Sequence, residues 1–411
     1  MKPINSSATR TFLPALGIAC PLGLGKQAVN KALFSIKESP IHMKVSLLSG
    51  KEVPVGRVPF EVPEIGAEFQ ELRSRNNALL QLALDEIIPY VDQAKALYGS
   101  HRIGVVLGTS TSGMLEGEQG FCHKQHTGEW PANYLYTQQE VASLSTFAAR
   151  FLKLGGPAYT ISTACSSSSK ALCSAKRLIN AGICDAVITG GADTVCSLTL
   201  NGFDSLELLS EKICHPFSKN RQGITIGEGA AVFLMTRDPL SSEPLVELIG
   251  YGESSDAYHI SSPDPDGNGA EVAIRDALKM AALDATDISY INLHGTGTPL
   301  NDAMESRCIA RIFGNQLPCS STKGLTGHTL GAAGALEAAI LWLALASEEK
   351  GSLPLPPHIW DGERDPELAP LHLVKVGERA TITDKPIALM SNSFAFGGSN
   401  VSVILSKGFD E

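Results

Sequence analysis

The sequence predicts an α/β fold assembled from two halves of related design. Strand-like runs rich in Val, Ile and Thr alternate with helical patterns through most of the chain, which means largely buried sheets flanked by helices. Two distant segments, AYTISTACSSSSKAL and CSSTKGLTGHTLGAAGAL, each read as a strand, a turn bearing a reactive residue, and a helix. A proline-marked interruption, RDPLSSEPLV, separates the two patterns near residues 238–250.

In chain order the first-half strands are IGVVLGT, AYTIST, AVITGGAD and AAVFLM. Those of the second half are LVELIGYG, YINLHGT, IALMSNSF and VSVILS. Between them, QELRSRNNALLQLALDEII, QQEVASLSTFAARFL, SSSKALCSAKRLINAG and GAAGALEAAILWLALAS carry apolar residues at helical spacing, the third ending at Gly182. The expected division is 1–245, holding Cys165, and 246–411, holding His294, Lys323 and His328. Residues 353–370, LPLPPHIWDGERDPELAP, read as a proline-rich surface excursion.

With 411 residues, 43% apolar and 18% charged, the chain can bury a large core. Its nine cysteines are scattered, with no CxxC pair and no His/Cys cluster at zinc spacing, so no metal is expected and the usage fits a reducing compartment. A net charge of −10 argues against nucleic acid and anionic membrane surfaces as partners. Prolines and glycines break FLPALGIACPLGLG as a signal peptide, and ALEAAILWLALA is too short to cross a bilayer. A cytoplasmic enzyme is the expectation.

Cys165 follows an apolar strand, and Ser166 to Ser169 lead into a helix whose first N–H groups favour a thiolate. A thiolate is what covalent acyl transfer uses, and the resulting thioester stays exchangeable. Taken alone, Cys165 reads better as a buried structural thiol like Cys173, Cys184 and Cys196. Its companions change that. His294 in HGTGTPLND and His328 in KGLTGHTLGAAGALE each stand in a glycine-rich turn, whereas His42, His101, His126, His358 and His372 read as ordinary satisfied side chains. Two neutral imidazoles donating N–H bonds can stabilise the charge that develops on a thioester oxygen as a neighbouring carboxylate leaves, which points to decarboxylative Claisen chemistry. Lys323 and Glu337 can orient such a site, though spacing alone fits an ordinary surface pair equally well. The loop NSFAFGGSN places Phe394 and Phe396 beside Gly397 and Gly398, where a backbone N–H can serve an oxyanion and a ring can gate a pocket. It lacks the features of a nucleotide-binding loop.

TACSSSS, HGTGTPLND, KGLTGHTLGAAGALE and NSFAFGGSN, with GIACPLG, GEGAAVFLM and GYGESSDAYHISSPDPDG, stand in the order found in elongating β-ketoacyl-acyl carrier protein synthases, which this chain resembles over almost its whole length. The resemblance implies a thiolase-like, five-layered αβαβα fold from two similar halves, usually paired as a dimer. It implies that Cys165 takes the acyl group, with its own N–H and that of Phe396 forming the oxyanion hole. His294 and His328 would bind the malonyl thioester, Lys323 with Glu337 would support them, and Thr296 and Thr298 would contact the phosphopantetheine arm of an acyl carrier protein. Phe396 would be the gate, and no permanently bound cofactor is implied.

Departures from the family pattern are Ala395 between the two phenylalanines, where Gly is usual, and CHPFSKN with His215 and Ser218 in place of Arg-Pro-Phe-Asp. They suggest a specialised polyketide or aryl-polyene-like pathway. Arg73, Arg75, Lys124, Lys219 and Arg221 are candidates for the carrier-protein dock, though each taken singly reads better as solvated surface. A degradative thiolase would need a late second cysteine, yet the last one is Cys319; a papain-like protease would need a motif that is absent. A chain-length factor, an inactive partner subunit, would lack the nucleophile. The active half of such a heterodimer fits as well as a homodimer.

Overall fold

The computed structural model describes residues 10–240, 245–382 and 386–408. The middle of the predicted interruption, 241–244, lies outside them. In the first half the strands are β1 (Phe12–Cys20), β2 (Ile103–Gly108), β3 (Ala158–Ile161), β4 (Ala186–Asp193) and β5 (Gly229–Thr236). In the second half they are β6 (Val246–Ser255), β7 (Ile288–Asn292), β8 (Pro318–Ser320), β9 (Ile387–Phe394) and β10 (Ser399–Lys407). The spatial order of these ten is β3-β2-β4-β5-β1 in one and β8-β7-β9-β10-β6 in the other, where a two-residue strand, His372–Leu373, adds parallel outside β8. In each set of five, the three strands farthest from the junction are parallel and the other two antiparallel. The halves therefore share one topology, and a single antiparallel pairing of Phe12 with Glu247 joins them edge to edge.

Each central strand is buried on both faces, and its period-2 alternation feeds two different cores. On β5, Val232 and Leu234 pack outward with Leu79, Leu84 and Phe147, while Phe233 and Met235 pack inward. The outer helices of the first half are α1 (Arg75–Asp85) and α2 (Ser143–Phe151). Between the sheets run α3 (Ser167–Asn180) and, from the second half, α6 (Ala333–Ala346); α4 (Asn268–Ala281) and α5 (Pro299–Phe313) close the far side. This is the five-layered thiolase-like arrangement. Helix α6 is apolar on all sides except at Glu337 and buried from Ala333 to Leu345, as a helix enclosed by two sheets must be. Its Trp342 Nε1 donates to Leu13 O of the other half at 2.9 Å.

The stretch 353–370 departs from the predicted surface excursion. Leu353 to Ile359 are buried, whereas Asp361–Arg364, Pro366, Glu367 and Pro370 are exposed, so only the second part runs over the surface. His358 explains the difference: Ser321 N donates to its Nδ1 at 3.0 Å and its Nε2 bonds Pro216 O at 3.0 Å, so the imidazole is a satisfied core group. No helix of the described residues is long and apolar enough to cross a membrane.

Candidate active site

The turn between β3 and α3 is held in a conformation that a residue with a Cβ avoids. Ala164 has φ 51°, at a cost of about 1–3 kcal/mol that the surroundings must offset. The serine run supplies that bracing. Ser166 Oγ donates to Thr163 O at 2.8 Å and Ser167 Oγ to Ala164 O at 2.6 Å, while Thr163 N donates to Ser167 Oγ at 2.8 Å. The next two serines reach the second half: Ala335 N donates to Ser168 Oγ, and Ser169 Oγ bonds Ser393 Oγ, both at 2.8 Å. At Gly334 an added Cβ would lie 1.9 Å from Ser169 Oγ, so glycine alone permits this approach of α3 and α6.

His294 emerges from the end of β7, and Glu305 on α5 fixes its backbone by accepting from His294 N and Gly295 N, each at 2.7 Å. His328 follows Gly327, at φ 69°, and donates its backbone N–H to Thr225 O at 2.6 Å. These turns bring His328 Nε2 to 3.0 Å from Cys165 Sγ. The two imidazole rings stand edge to face, 84° apart in plane with centroids 5.5 Å apart. Sγ and one ring nitrogen from each histidine lie within 4.8 Å of one another, and the three residues are at most 6% exposed. The same set would suit a soft divalent cation.

Burial, reinforced by the positive charge of Lys323, holds both imidazoles well below the usual histidine range, so both are neutral. Burial pushes the Cys165 thiol up to about 11, against the opposing effects of Lys323 and the Phe396 N–H. The helix-start position was expected to favour a thiolate; in the resting site desolvation outweighs it. The pair is a neutral thiol beside a neutral imidazole.

Lys323 is 1% exposed. Its Nζ donates to His294 O and to Glu337 Oε1, the latter at 2.5 Å. Burial pushes the Glu337 carboxyl up and Lys323 opposes that shift. Lys323 thus touches the backbone of His294 rather than the cavity. That cavity, about 280 Å³, opens from Cys165, His294 and His328 past Thr296, Thr298, Phe394 and Phe396. The Thr296 and Thr298 hydroxyls are 2.9 Å apart, and the Phe396 ring packs on Phe203 at 5.9 Å. Gly397 and Gly398 do not line it; at φ 83° and 77° they make the turn, and Gly397 N donates to Ile260 O at 2.8 Å.

Residues 78–239 match the N-terminal domain model of the beta-ketoacyl synthases, and residues 245–354 match the C-terminal domain model. The chain belongs to the beta-ketoacyl synthase family. It is similar to the 3-oxoacyl-[acyl-carrier-protein] synthase 2 of Coxiella burnetii, 34% identical over 98% of this chain and 99% of that protein. The synthase of the same name from Synechocystis is 36% identical over 74% of this chain and 75% of its own length. Among solved structures, a ketosynthase (ApeO) in complex with its chain length factor (ApeC) from Xenorhabdus doucetiae superposes with a TM-score of 0.87 and 45% identity, covering 98% of this chain and 99% of that one. The ishigamide ketosynthase/chain length factor gives a TM-score of 0.85 at 26% identity, covering 98% of this chain and all of that one. This synthase is a condensing acyltransferase.

The synthase ties up several cations that sequence offered to a carrier dock. Arg75 is bonded to buried Glu228 at 2.6 Å and Arg221 to Asp365 at 2.5 Å, both pairs mostly shielded from solvent. Lys219 pairs with Glu363 at 2.6 Å on the surface, Arg73 lies 3.9 Å from Glu64, and Lys124 sits over the Trp130 ring. His215 is half-buried and its burial lowers its proton affinity, so it does not replace an arginine's fixed charge.

Sequence reasoning assigned nothing to Glu305, Asp302 or Asp193, which are all buried. Burial pushes Glu305 up to about 8 and Asp302 up to about 6, each opposed by backbone N–H donors from the loops they brace. The recurrence of carboxylates three residues apart in PLNDAMES was the available signal for the first two. Asp193, at the end of β4, had none.

Proposed function

We propose that this synthase lengthens a carrier-bound acyl chain by decarboxylative condensation with malonyl-acyl carrier protein, with Cys165 holding the growing chain. The 3.0 Å separation of Cys165 Sγ and His328 Nε2, with His294 in the same cluster, is the observation that carries the reading. In the first half-reaction Sγ attacks the thioester of the carrier's phosphopantetheine arm. A new Sγ–C bond forms, the arm's S–C bond breaks, and the thiol proton reaches the leaving thiolate by way of His328. The arm arrives with the substrate, and Thr296 and Thr298 line the passage that would take it.

In the second half-reaction the malonyl thioester loses carbon dioxide, and the electron pair left behind forms an enolate. Neutral His294 and His328 donate N–H bonds to its oxygen, His328 from the Nε2–H tautomer, reached by moving its ring proton from Nδ1 after the thiol proton has been relayed. The α-carbon attacks the Cys165 thioester, and the tetrahedral oxyanion sits between the N–H groups of Cys165 and Phe396, a donor of this kind contributing roughly 3 kcal/mol. Collapse expels Sγ as a thiolate, which takes up a proton from solvent to restore the resting thiol, and leaves a 3-oxoacyl chain on the carrier. Lys323, with Glu337, positions His294 through its carbonyl, and the Phe396 ring gates the passage.

The likeness to a ketosynthase that pairs with a chain length factor, together with Ala395, His215 and Ser218, favours a specialised polyketide or aryl-polyene type of pathway. Cys165 and both histidines argue against a chain-length factor. A partner subunit, identical or of the chain-length-factor kind, fits the open edge of β3 and the exposed rings of Phe121, Trp130 and Tyr136. We place the division of the halves between residues 245 and 246, and the enzyme in the cytoplasm.

Incubation with one acyl-carrier thioester and malonyl-carrier thioester tests the reaction. One carbon dioxide should be released per 3-oxoacyl-carrier formed, and neither should appear with Cys165→Ala. Product formation by that variant removes the assignment.

A further inference from the structure

Asp193 is fully buried at the end of β4 and holds two loops, one bonded to the residue before Cys165 and one just after His328. From the first half, its Oδ1 accepts Thr109 Oγ1 at 2.7 Å, Thr111 N at 2.7 Å and Thr111 Oγ1 at 2.6 Å, and Ser110 N donates to Oδ1 at 2.9 Å and to Oδ2 at 3.1 Å. From the second half, Ala332 N donates to Oδ2 at 2.9 Å. Every one of these neighbours is a donor. The Thr109 hydroxyl has no freedom to reverse, because its Oγ1 already accepts from Ser112 N and Asn76 Nδ2, which leaves its proton for Asp193; Thr111 Oγ1 accepts from Thr194 N and donates to Asp193.

The braced loops lead directly to the reacting pair. Ser110 Oγ donates to Ala164 O, one residue before Cys165, at 3.2 Å. Ala332 closes the turn that begins just after His328, with Ala332 N also on Thr329 O at 3.0 Å. Each turn contains a residue with a Cβ in the left-handed region, Ala164 at φ 51° and Leu330 at φ 50°. Such conformations persist where the surroundings over-determine them. An added Cβ at Gly331 would lie 2.7 Å from Ser110 N and 2.8 Å from Asp193 Oδ2, so the two loops meet over this carboxylate.

We propose that Asp193 is a positioning residue that sets the Cys165–His328 geometry by clamping the loop beside Ala164 and the turn after His328 to one carboxylate. The inference rests on the reading of Cys165 as the acyl acceptor. Asp193→Asn keeps the shape but must turn an amide N–H toward a donor, on one loop or the other, which displaces that loop.

Single-turnover loading of Cys165 from an acyl-carrier thioester, followed by intact mass, gives both a rate and the fraction of chains finally acylated. For Asp193→Asn the expected result is a loading rate lower by about 100-fold, the scale of a misplacement near 1 Å, with almost all chains still acylated at completion. A normal rate overturns the proposal. So does a normal rate in a reduced fraction of chains, which is what a purely structural role gives. Ser110→Ala cuts only the link to Ala164 O and decides the matter if Asp193→Asn does not fold: slower loading to full occupancy is expected, and an unchanged rate overturns the proposal. Wild-type protein that fails to load at Cys165 would instead remove the synthase reading itself.

Discussion

His328 Nε2 lies 3.0 Å from Cys165 Sγ, and neither group carries a charge in the resting site. The sulfur is therefore not a standing thiolate; it becomes one as its proton moves.

That relationship fixes a pH dependence. The Cys165 pKa is raised to about 11, so at neutral pH the thiol form dominates and the thiolate fraction grows tenfold per pH unit below that value. Iodoacetamide alkylation of the Cys165 peptide should climb steadily from pH 7 to about 9 without levelling. Peptide mapping separates it from Cys122, the exposed cysteine. A plateau reached near pH 7 would mean a stable thiolate and would contradict the assignment of charges.

The two histidines should part company when each is removed. His328→Ala loses the proton partner of the sulfur, and both loading and condensation should fall, by roughly 10²–10⁴-fold for the proton transfer. His294→Ala leaves the Sγ contact intact, so loading should persist while carbon dioxide release from the malonyl thioester is lost. Separate assays of acyl adduct and carbon dioxide make the comparison; equal loss of both activities in both variants would argue against divided roles.

Lys323 and Glu337 form a buried ion pair, at 2% and 5% side-chain exposure. Removing either partner alone leaves an uncompensated charge and should lower stability by about 3–5 kcal/mol. The double variant Lys323→Met with Glu337→Leu should recover most of that in denaturant unfolding. It should not recover condensation, because His294 O has lost its donor.

Phe396 contributes its ring and its N–H to different tasks. Phe396→Ala removes the contact with Phe203 while keeping the backbone donor, so Cys165 should still load. Discrimination among acyl chains of different length should relax, as read by competition between two acyl-carrier thioesters. An unchanged preference would separate the gate from this ring.

What the sequence made legible follows from how local each signal was. Cys165, His294 and His328 each sit in a short turn whose neighbours announce it, and the structure brings all three into one buried cluster. The strands were readable because each opens on an apolar run buried on both faces, as on β4 and β9, where the predicted and observed limits coincide. Asp193 was invisible because its donors come from 109–111 and 332, far away in the chain. The run Ser166–Ser169 read as the lead into a helix, but its hydroxyls brace the turn and bond the second half. Lys323 points at a backbone carbonyl, a direction that spacing does not encode.

The central claim is that the growing chain is carried on Cys165. Incubation with an acyl-carrier thioester alone, followed by intact mass and peptide mapping, tests it most directly. The account predicts one acyl group per chain, located on the peptide containing Cys165 and absent from Cys165→Ala. An adduct on another residue, or one that persists in that variant, would contradict it.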